Sequence, residues 1–292
     1  MAVIDAHHHV WDLSIRDQEW IAGPDMTPIR RSFSLDDLAP EARAAGVRAG
    51  VLVQTVAVAK ETPEFLALAH GSDVVAGVVG WTDLTAPDVA DALAALRELP
   101  GGERLVGIRH LVQAEPDPAW LLRPDVLRGL AAVAAAGLVY DLVVLPAQLP
   151  AAAEAAARTP QLPFVLDHLG KPPIAAQELE PWASDVRALA ALPNTVCKLS
   201  GMVTEAAWST WTVPDLAPYA DTVLDAFGPH RLMFGSDWPV CRLAASYGEV
   251  VAAARALTHR LDDDERRAVF ETTAARVYGL CDARVHGLRE DP

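Results

Sequence analysis

At 292 residues the chain could hold two ordinary domains, yet α/β barrels of this length commonly form one. Its 51% hydrophobic content supports a large buried core, and a net charge of -15 excludes the basic face that nucleic acid requires. No uncharged run approaches the ~18 residues of a membrane span, and no basic stretch followed by an apolar one opens the chain, so a cytoplasmic location is expected.

The first element is an apolar strand, Val3-Ile4-Asp5-Ala6, running into His7-His8-His9. Side chains at i and i+2 share a face of a strand, so His7 and His9 point together while His8 points away. A purification tag would carry more histidines among Gly and Ser, whereas this run lies inside a strand-like segment. A loop from Asp12 to Arg31 follows, holding Trp20 and the pair Arg30-Arg31; its length and aromatics suggest a cover over a pocket. Ser34 reads as the N-cap of a helix reaching Gly46.

A regular cadence then sets in. Strands are expected at 49–55, 74–81, 105–111, 138–144, 163–170, 195–201 and 231–239, and helices at 63–70, 86–100, 124–136, 151–158, 181–192 and 215–227. A second long loop, Met202 to Pro214, carries Glu205, Trp208 and Trp211. Two last helices, 248–257 and 262–280, close the chain. Strands that are apolar on both faces and alternate with helices require a parallel sheet covered on its outside. About eight such units predict a (β/α)8 barrel in one domain, residues 1–292. The rival is an open doubly wound sheet, but neither a GxGxxG nor a GxxxxGK[ST] motif follows any strand.

In a barrel the strand C-terminal ends share one face, where chemistry is built. Polar residues at those ends are His7 and His9, Gln54, Trp81 and Asp83, Arg109 and His110, Asp141, Asp167 and His168, Lys198 and Ser200, and Ser236 and Asp237. Closure sets the eighth strand beside the first, bringing Asp237 to His7 and His9 with His168 across the mouth. Three imidazoles and a carboxylate suit one divalent ion, zinc above all, held by His7, His9, His168 and Asp237. The same four work without metal if Asp237 takes a proton from water and the imidazoles stabilise an oxyanion. Nucleophilic catalysis is poorly supported, since no GxSxG elbow is present. Cys197, Cys241 and Cys281 form no CxxC pair and read as small buried hydrophobes. His70, His230, His259 and His286 fall in helices or connections and are expected to face solvent. Asp141 and the Arg109-His110 pair also have bland readings, as buried salt-bridge partners.

Asp-Ala-His-His-His-Val-Trp-Asp, Gly-Ile-Arg-His, Leu-Asp-His-Leu-Gly-Lys-Pro, Cys-Lys-Leu-Ser-Gly and Phe-Gly-Ser-Asp-Trp-Pro occur in this order along nearly the whole chain. This set resembles the amidohydrolase superfamily, and within it the amidohydrolase-2 branch that contains sugar lactonases and the 2-pyrone-4,6-dicarboxylate lactonase. The resemblance implies a distorted (β/α)8 barrel with His7 and His9 as the HxH pair, His168 on the sixth strand and Asp237 on the eighth. Two-metal members carry a lysine on the fourth strand and a histidine on the fifth, where this chain has Arg109-His110 and Tyr140-Asp141. One ion or none is therefore implied. Gly-Ile-Arg-His and its following loop look most like the lactonases of L-fucose and L-rhamnose catabolism, which implies a neutral sugar lactone. Arg109, His110, Asp141, Lys198, Gln54 and Trp81 would then bind substrate, with Trp208 or Trp238 as further walls. Alternatives are a metal-dependent decarboxylase on the same barrel and a ligand-binding barrel without turnover.

Overall fold

The computed structural model describes residues 3–280; Cys281 and His286 lie outside the described residues. Eight strands run in sequence order in one parallel sheet: β1 (Val3–His8), β2 (Val47–Val53), β3 (Val75–Gly80), β4 (Leu105–His110), β5 (Val139–Leu142), β6 (Phe164–Leu166), β7 (Thr195–Leu199) and β8 (Leu232–Phe234). Between them lie α1 (Leu35–Ala44), α2 (Glu61–His70), α3 (Val89–Arg97), α4 (Pro124–Ala135), α5 (Leu149–Arg158), α6 (Trp182–Ala190), the single turn α7 (Met202–Glu205) and α8 (Val213–Phe227). After β8 come α9 (Tyr247–Leu257), α10 (Asp263–Arg267) and α11 (Thr273–Val277). The (β/α)8 barrel expected from the cadence is the fold observed.

Local chemistry sets several of these boundaries. Ser34, Thr212, Ser246 and Asp262 each stand at a helix start in a reciprocal capping box with the acid three residues on. The last expected helix, 262–280, is divided by a π segment, Ala268–Thr272, which carries Phe270 against Phe234 of β8 with ring centroids 5.5 Å apart. The core has two parts. One is the sleeve between strands and helices, and the other is the lumen, filled by Ile4, Val51, Val165 and Met233 among others. Ala274, Tyr278 and Leu280 plug the lumen from the end opposite the mouth.

Closure between β1 and β8 is made by few bonds. His8 and Trp238 form a parallel bridge, Asp237 N–H donates to His7 O at 2.8 Å, and His9 N–H donates to Trp238 O at 2.7 Å. A buried carboxylate supplies what a full ladder would have supplied. Asp5 accepts from the backbone N–H groups of His7 (3.1 Å) and Ser236 (2.8 Å), from Ser236 Oγ (2.6 Å) and from Tyr247 Oη (2.9 Å). The seam that fixes His7 and Asp237 relative to each other therefore hangs on Asp5.

Strands β6 and β8 are shorter than their apolar runs. After Leu166 the chain turns into left-handed backbone at His168 (φ 52°) and Leu169 (φ 56°), and after Phe234 it does so at Asp237 (φ 57°). Such conformations cost about 1–3 kcal/mol each in non-glycine residues and concentrate at functional sites. Here they break the two-residue alternation and re-aim His168 and Asp237.

His8 points away from its neighbours, as the alternation requires. Its ring is fully buried against Gly50 of β2, and among the described residues neither ring nitrogen has a hydrogen-bond partner. A Cβ at Gly50 would stand 2.5 Å from His8 Cε1. We expect Gly50→Ala to cost about 1–3 kcal/mol by overpacking, measured in urea melts. In a His8→Ala background the same change should cost almost nothing, and an unchanged penalty there would show that His8 is not its source.

Candidate active site

The mouth of the barrel opens into a cavity of about 410 Å³. His9, Arg109, His168 and Asp237 line it at the barrel end, and Trp20, Met26, Lys171, Glu205 and Trp208 belong to the surrounding loops. The loop 12–31 thus covers the cavity, as its length and aromatics suggest, and the segment 202–214 contributes Thr204, Glu205 and Trp208 to the same wall.

His7, His9, His168 and Asp237 converge. His7 Nε2 and His9 Nε2 are 3.1 Å apart, and Asp237 Oδ1 lies 3.5 Å from His9 Nε2 and 3.8 Å from the Nε2 atoms of His7 and His168. All four are buried, with Asp237 4% exposed. Each imidazole is fixed by its far nitrogen. His9 Nδ1 donates to Val53 O at 2.7 Å, so the neutral ring carries its lone pair on Nε2, toward the site. His168 Nδ1 meets Ser200 Oγ at 2.9 Å. His168 is backed by Gly201, where a Cβ would come within 2.6 Å of its ring and where φ is +67°, so glycine suits the position on two counts.

Burial drives the charge states apart. It holds His7 well below the usual imidazole range and brings His168 down to about 4, so both are neutral at pH 7. Burial would raise the Asp237 carboxyl, but His168, His9 and Lys171 outweigh it and bring it below the ordinary value. At pH 7 the site therefore sets the Asp237 carboxylate beside the neutral imidazoles of His7 and His168.

Behind His7 lies a second layer. Lys198 is fully buried, 2.5 Å from Asp141 Oδ2, 2.9 Å from Asp167 Oδ1 and 3.1 Å from His7 Nδ1. Tyr278, from the plug below, donates to both oxygens of Asp141 at 2.9–3.0 Å. Arg109 donates to Asp167 Oδ2 at 3.0 Å, to Gln54 Oε1 at 2.8 Å and to the Gln54 carbonyl, and its Nη1 stands 3.4 Å from His7 Nε2.

Several residues expected to touch substrate stand elsewhere. Asp141 and Lys198 are fully buried and neutralise each other, because an isolated charge at that depth would cost far more than a paired one. They support the floor rather than line the cavity. Gln54 is also buried, yet its Nε2 is a donor without a partner among the described residues. Trp81 Nε1 donates to His110 Nδ1 at 3.0 Å, and His110 Nε2 donates to Glu115 at 2.7 Å while its ring stacks 4.3 Å from Trp120. That cluster braces the β4 loop, with neither Trp81 nor His110 on the cavity wall. Trp238 is fully buried and Trp208 does line the cavity. Arg30 and Arg31 bind loop carbonyls, and Arg123 pairs with Asp125. His70, His230 and His259 are exposed, while Cys197 and Cys241 are buried thiols. Lys171 went unnamed among the sequence candidates. It stands beyond the end of β6, with only its Gly-Lys-Pro setting as a signal.

The donor set fits a divalent ion. Ligand atoms around a tetrahedral zinc with bonds of about 2.0–2.1 Å sit roughly 3.3 Å apart, close to the 3.1 Å between His7 and His9 and the 3.5–3.8 Å from Asp237 to each of the three imidazoles. His7, His168 and Asp237 each offer an atom within 4.8 Å of the others. Arg109 acts the other way, since a fixed positive charge 3.4 Å from His7 Nε2 lowers the affinity for a cation and raises that for an oxyanion.

Imidazoles and a carboxylate at the C-terminal mouth of an eightfold barrel place the molecule among barrel enzymes whose chemistry is built from strand ends. Comparison with known proteins narrows the class. Residues 4–280 match the family described as Amidohydrolase, and the chain belongs to it. It is 43% identical to an L-fucono-1,5-lactonase of Burkholderia multivorans, over 97% of this chain and 98% of that one. It is 38% identical to an L-fucono-1,5-lactonase of Burkholderia ambifaria, over 95% of each. A crystal structure of an amidohydrolase from Burkholderia multivorans with bound zinc superposes with a TM-score of 0.91 at 42% identity, covering 96% of this chain and all of the other.

Proposed function

We infer that the protein is a hydrolase that opens the cyclic ester of a neutral sugar acid, an aldonolactone of the L-fucono-1,5-lactone kind. The observation that carries this reading is a buried, ionised Asp237 at the base of a covered cavity, in a chain 43% identical to an L-fucono-1,5-lactonase along nearly its whole length. The cavity walls favour a neutral substrate. Among the described residues that line it, the cations are Arg109 and Lys171, and each is already paired with a carboxylate, Asp167 and Glu205 respectively. A dicarboxylate lactone would need cations left over.

In the mechanism, Asp237 removes a proton from water, and the hydroxide adds to the lactone carbonyl carbon. Negative charge on the tetrahedral oxygen is met by the Arg109 guanidinium and by the imidazole of His168 in the tautomer that accepts from Ser200 at Nδ1 and carries its proton on Nε2, preorganised donors that need not reorient as charge develops. Collapse breaks the bond to the ring oxygen, and the protonated Asp237 returns its proton to that leaving oxygen, yielding the open hydroxy acid. A divalent ion held by His7, His9, His168 and Asp237 would polarise the carbonyl as a Lewis acid. A cytoplasmic setting accords with the thiols of Cys197 and Cys241. Among the described residues, no helix is long and apolar enough to cross a membrane.

A pH-indicator screen of sugar lactones, with and without added zinc, tests the reading. Turnover should be greatest on six-membered 6-deoxy aldonolactones, and failure to accelerate any aldonolactone overturns it. The pH profile adds a second check. Asp237 stays ionised down to below pH 3.8, so kcat/KM should stay level from pH 8 to about 5. Stability should decline earlier. His168 binds its proton near pH 4 in the fold but near 6.5 when unfolded, so the unfolded chain holds more protons between these values and stability falls as pH drops through that window. A melting temperature constant from pH 7 to 4.5 would contradict this assignment.

A further inference from the structure

Two charged side chains on the cavity wall take no part in the reaction above. Lys171 donates to Glu205 Oε1 at 2.8 Å, with side-chain exposures of 22% and 24%. Among the described residues, neither Glu205 Oε2 nor the two remaining ammonium protons have a further partner, so the pair has unused donors and an acceptor. Its position is set by the same backbone that sets the catalytic ring. Lys171 lies three residues beyond His168, in left-handed backbone at φ 55° and ψ 62°. Glu205 ends α7, which begins at the Gly201 packed on the His168 ring. Lys171 is also near enough to Asp237 for its charge to stabilise the carboxylate.

A donor and an acceptor 2.8 Å apart match the spacing of two hydroxyls on adjacent ring carbons, which sit about one hydrogen-bond length from each other. We propose that Lys171 and Glu205 form the polyol-recognition subsite of the cavity, Lys171 donating to one ring hydroxyl and Glu205 accepting the proton of its neighbour. This rests on the lactonase reading and deepens it. The subsite turns a general ester-opening centre into one selective for polyhydroxylated lactones, because binding a lactone without hydroxyls buries the wall with its donors and acceptor unmatched.

The test compares L-fucono-1,5-lactone with δ-valerolactone, which has the same six-membered cyclic ester and no hydroxyls. Wild type, Glu205→Gln and Lys171→Met are assayed on both, and thermal melts establish that each variant is folded. Loss of a charge-assisted hydrogen bond should lower kcat/KM on the sugar lactone about 10- to 100-fold, mostly through KM. The loss on δ-valerolactone should be at least tenfold smaller. Glu205→Gln is the deciding variant, since Lys171→Met also removes a charge that acts on Asp237. Equal losses on the two lactones would overturn the proposal and leave the pair as a tether for α7. If wild type opens neither lactone, the lactonase reading itself fails and the subsite falls with it.

Discussion

Replacing Asp237 by asparagine should lower kcat by about three orders of magnitude, the range expected when a positioned general base is removed. The change isolates chemistry from structure. Asparagine has nearly the same shape, keeps an oxygen facing His9 and His168, and tolerates the left-handed backbone (φ 57°) in which Asp237 stands. The Asp237 N–H to His7 O bond and the seam around Asp5 involve other atoms and should survive. We therefore expect KM within a fewfold of wild type and a melting temperature within a few degrees, with kcat measured by indicator assay and melting by calorimetry. Retention of even a tenth of the wild-type kcat would place the proton-accepting role on another group, His9 being the nearest alternative with its Nε2 3.5 Å from Asp237 Oδ1.

The barrel was legible because its signals are redundant. Eight apolar runs, each followed by a helix, tolerate small errors at any boundary without a change of architecture. What the pattern did not reveal was where β6 and β8 stop. Composition remains strand-like through Leu169 and Trp238, and the departure to positive φ at His168 and Asp237 is imposed by tertiary contacts. The same holds for the final helix, where Phe270 against Phe234 accompanies a π segment that helical periodicity alone did not disclose.

For the site, the strand-end rule identified which residues gather and gave no depth. His7 and His9 follow from a spacing of two on one strand, and Asp237 and His168 follow from barrel closure. Lys198 and Asp141 occupy equivalent strand ends, yet the long lysine side chain turns inward to a carboxylate and both are fully buried. His110 and Trp81 likewise satisfy each other. Whether a polar strand end faces substrate or a neighbour depends on which partner lies within about 3 Å, and that information is absent from linear order. Lys171 escaped notice for the opposite reason. It lies past the strand end, and only the left-handed turn at 168–171 brings it to the wall.

Lys198→Met should be the most destabilising single change near the site. The methionine keeps the stem's volume but leaves Asp141 and Asp167 without the cation that sits 2.5 and 2.9 Å from them. Removing one partner of a buried ion pair typically costs about 3–5 kcal/mol, because the remaining charge stays uncompensated. Arg109 still neutralises Asp167, so the burden falls mainly on Asp141, whose other partner is the hydroxyl of Tyr278. Burial already raises the Asp141 carboxyl to about 6 despite Lys198, and losing the ammonium raises it further. The folded variant then holds a proton that the unfolded chain releases, so its stability falls as pH rises, opposite in sign to the acid sensitivity that His168 gives the wild type. Urea melts at pH 5.5 and pH 8 should show the larger deficit at pH 8. Adding Asp141→Asn removes the stranded carboxylate and should restore part of the loss, making the double variant more stable than Lys198→Met alone. If instead the double variant were the weaker by the full sum of both single losses, the two residues would be acting independently. The network beneath His7 would then not be the coupled unit its distances describe.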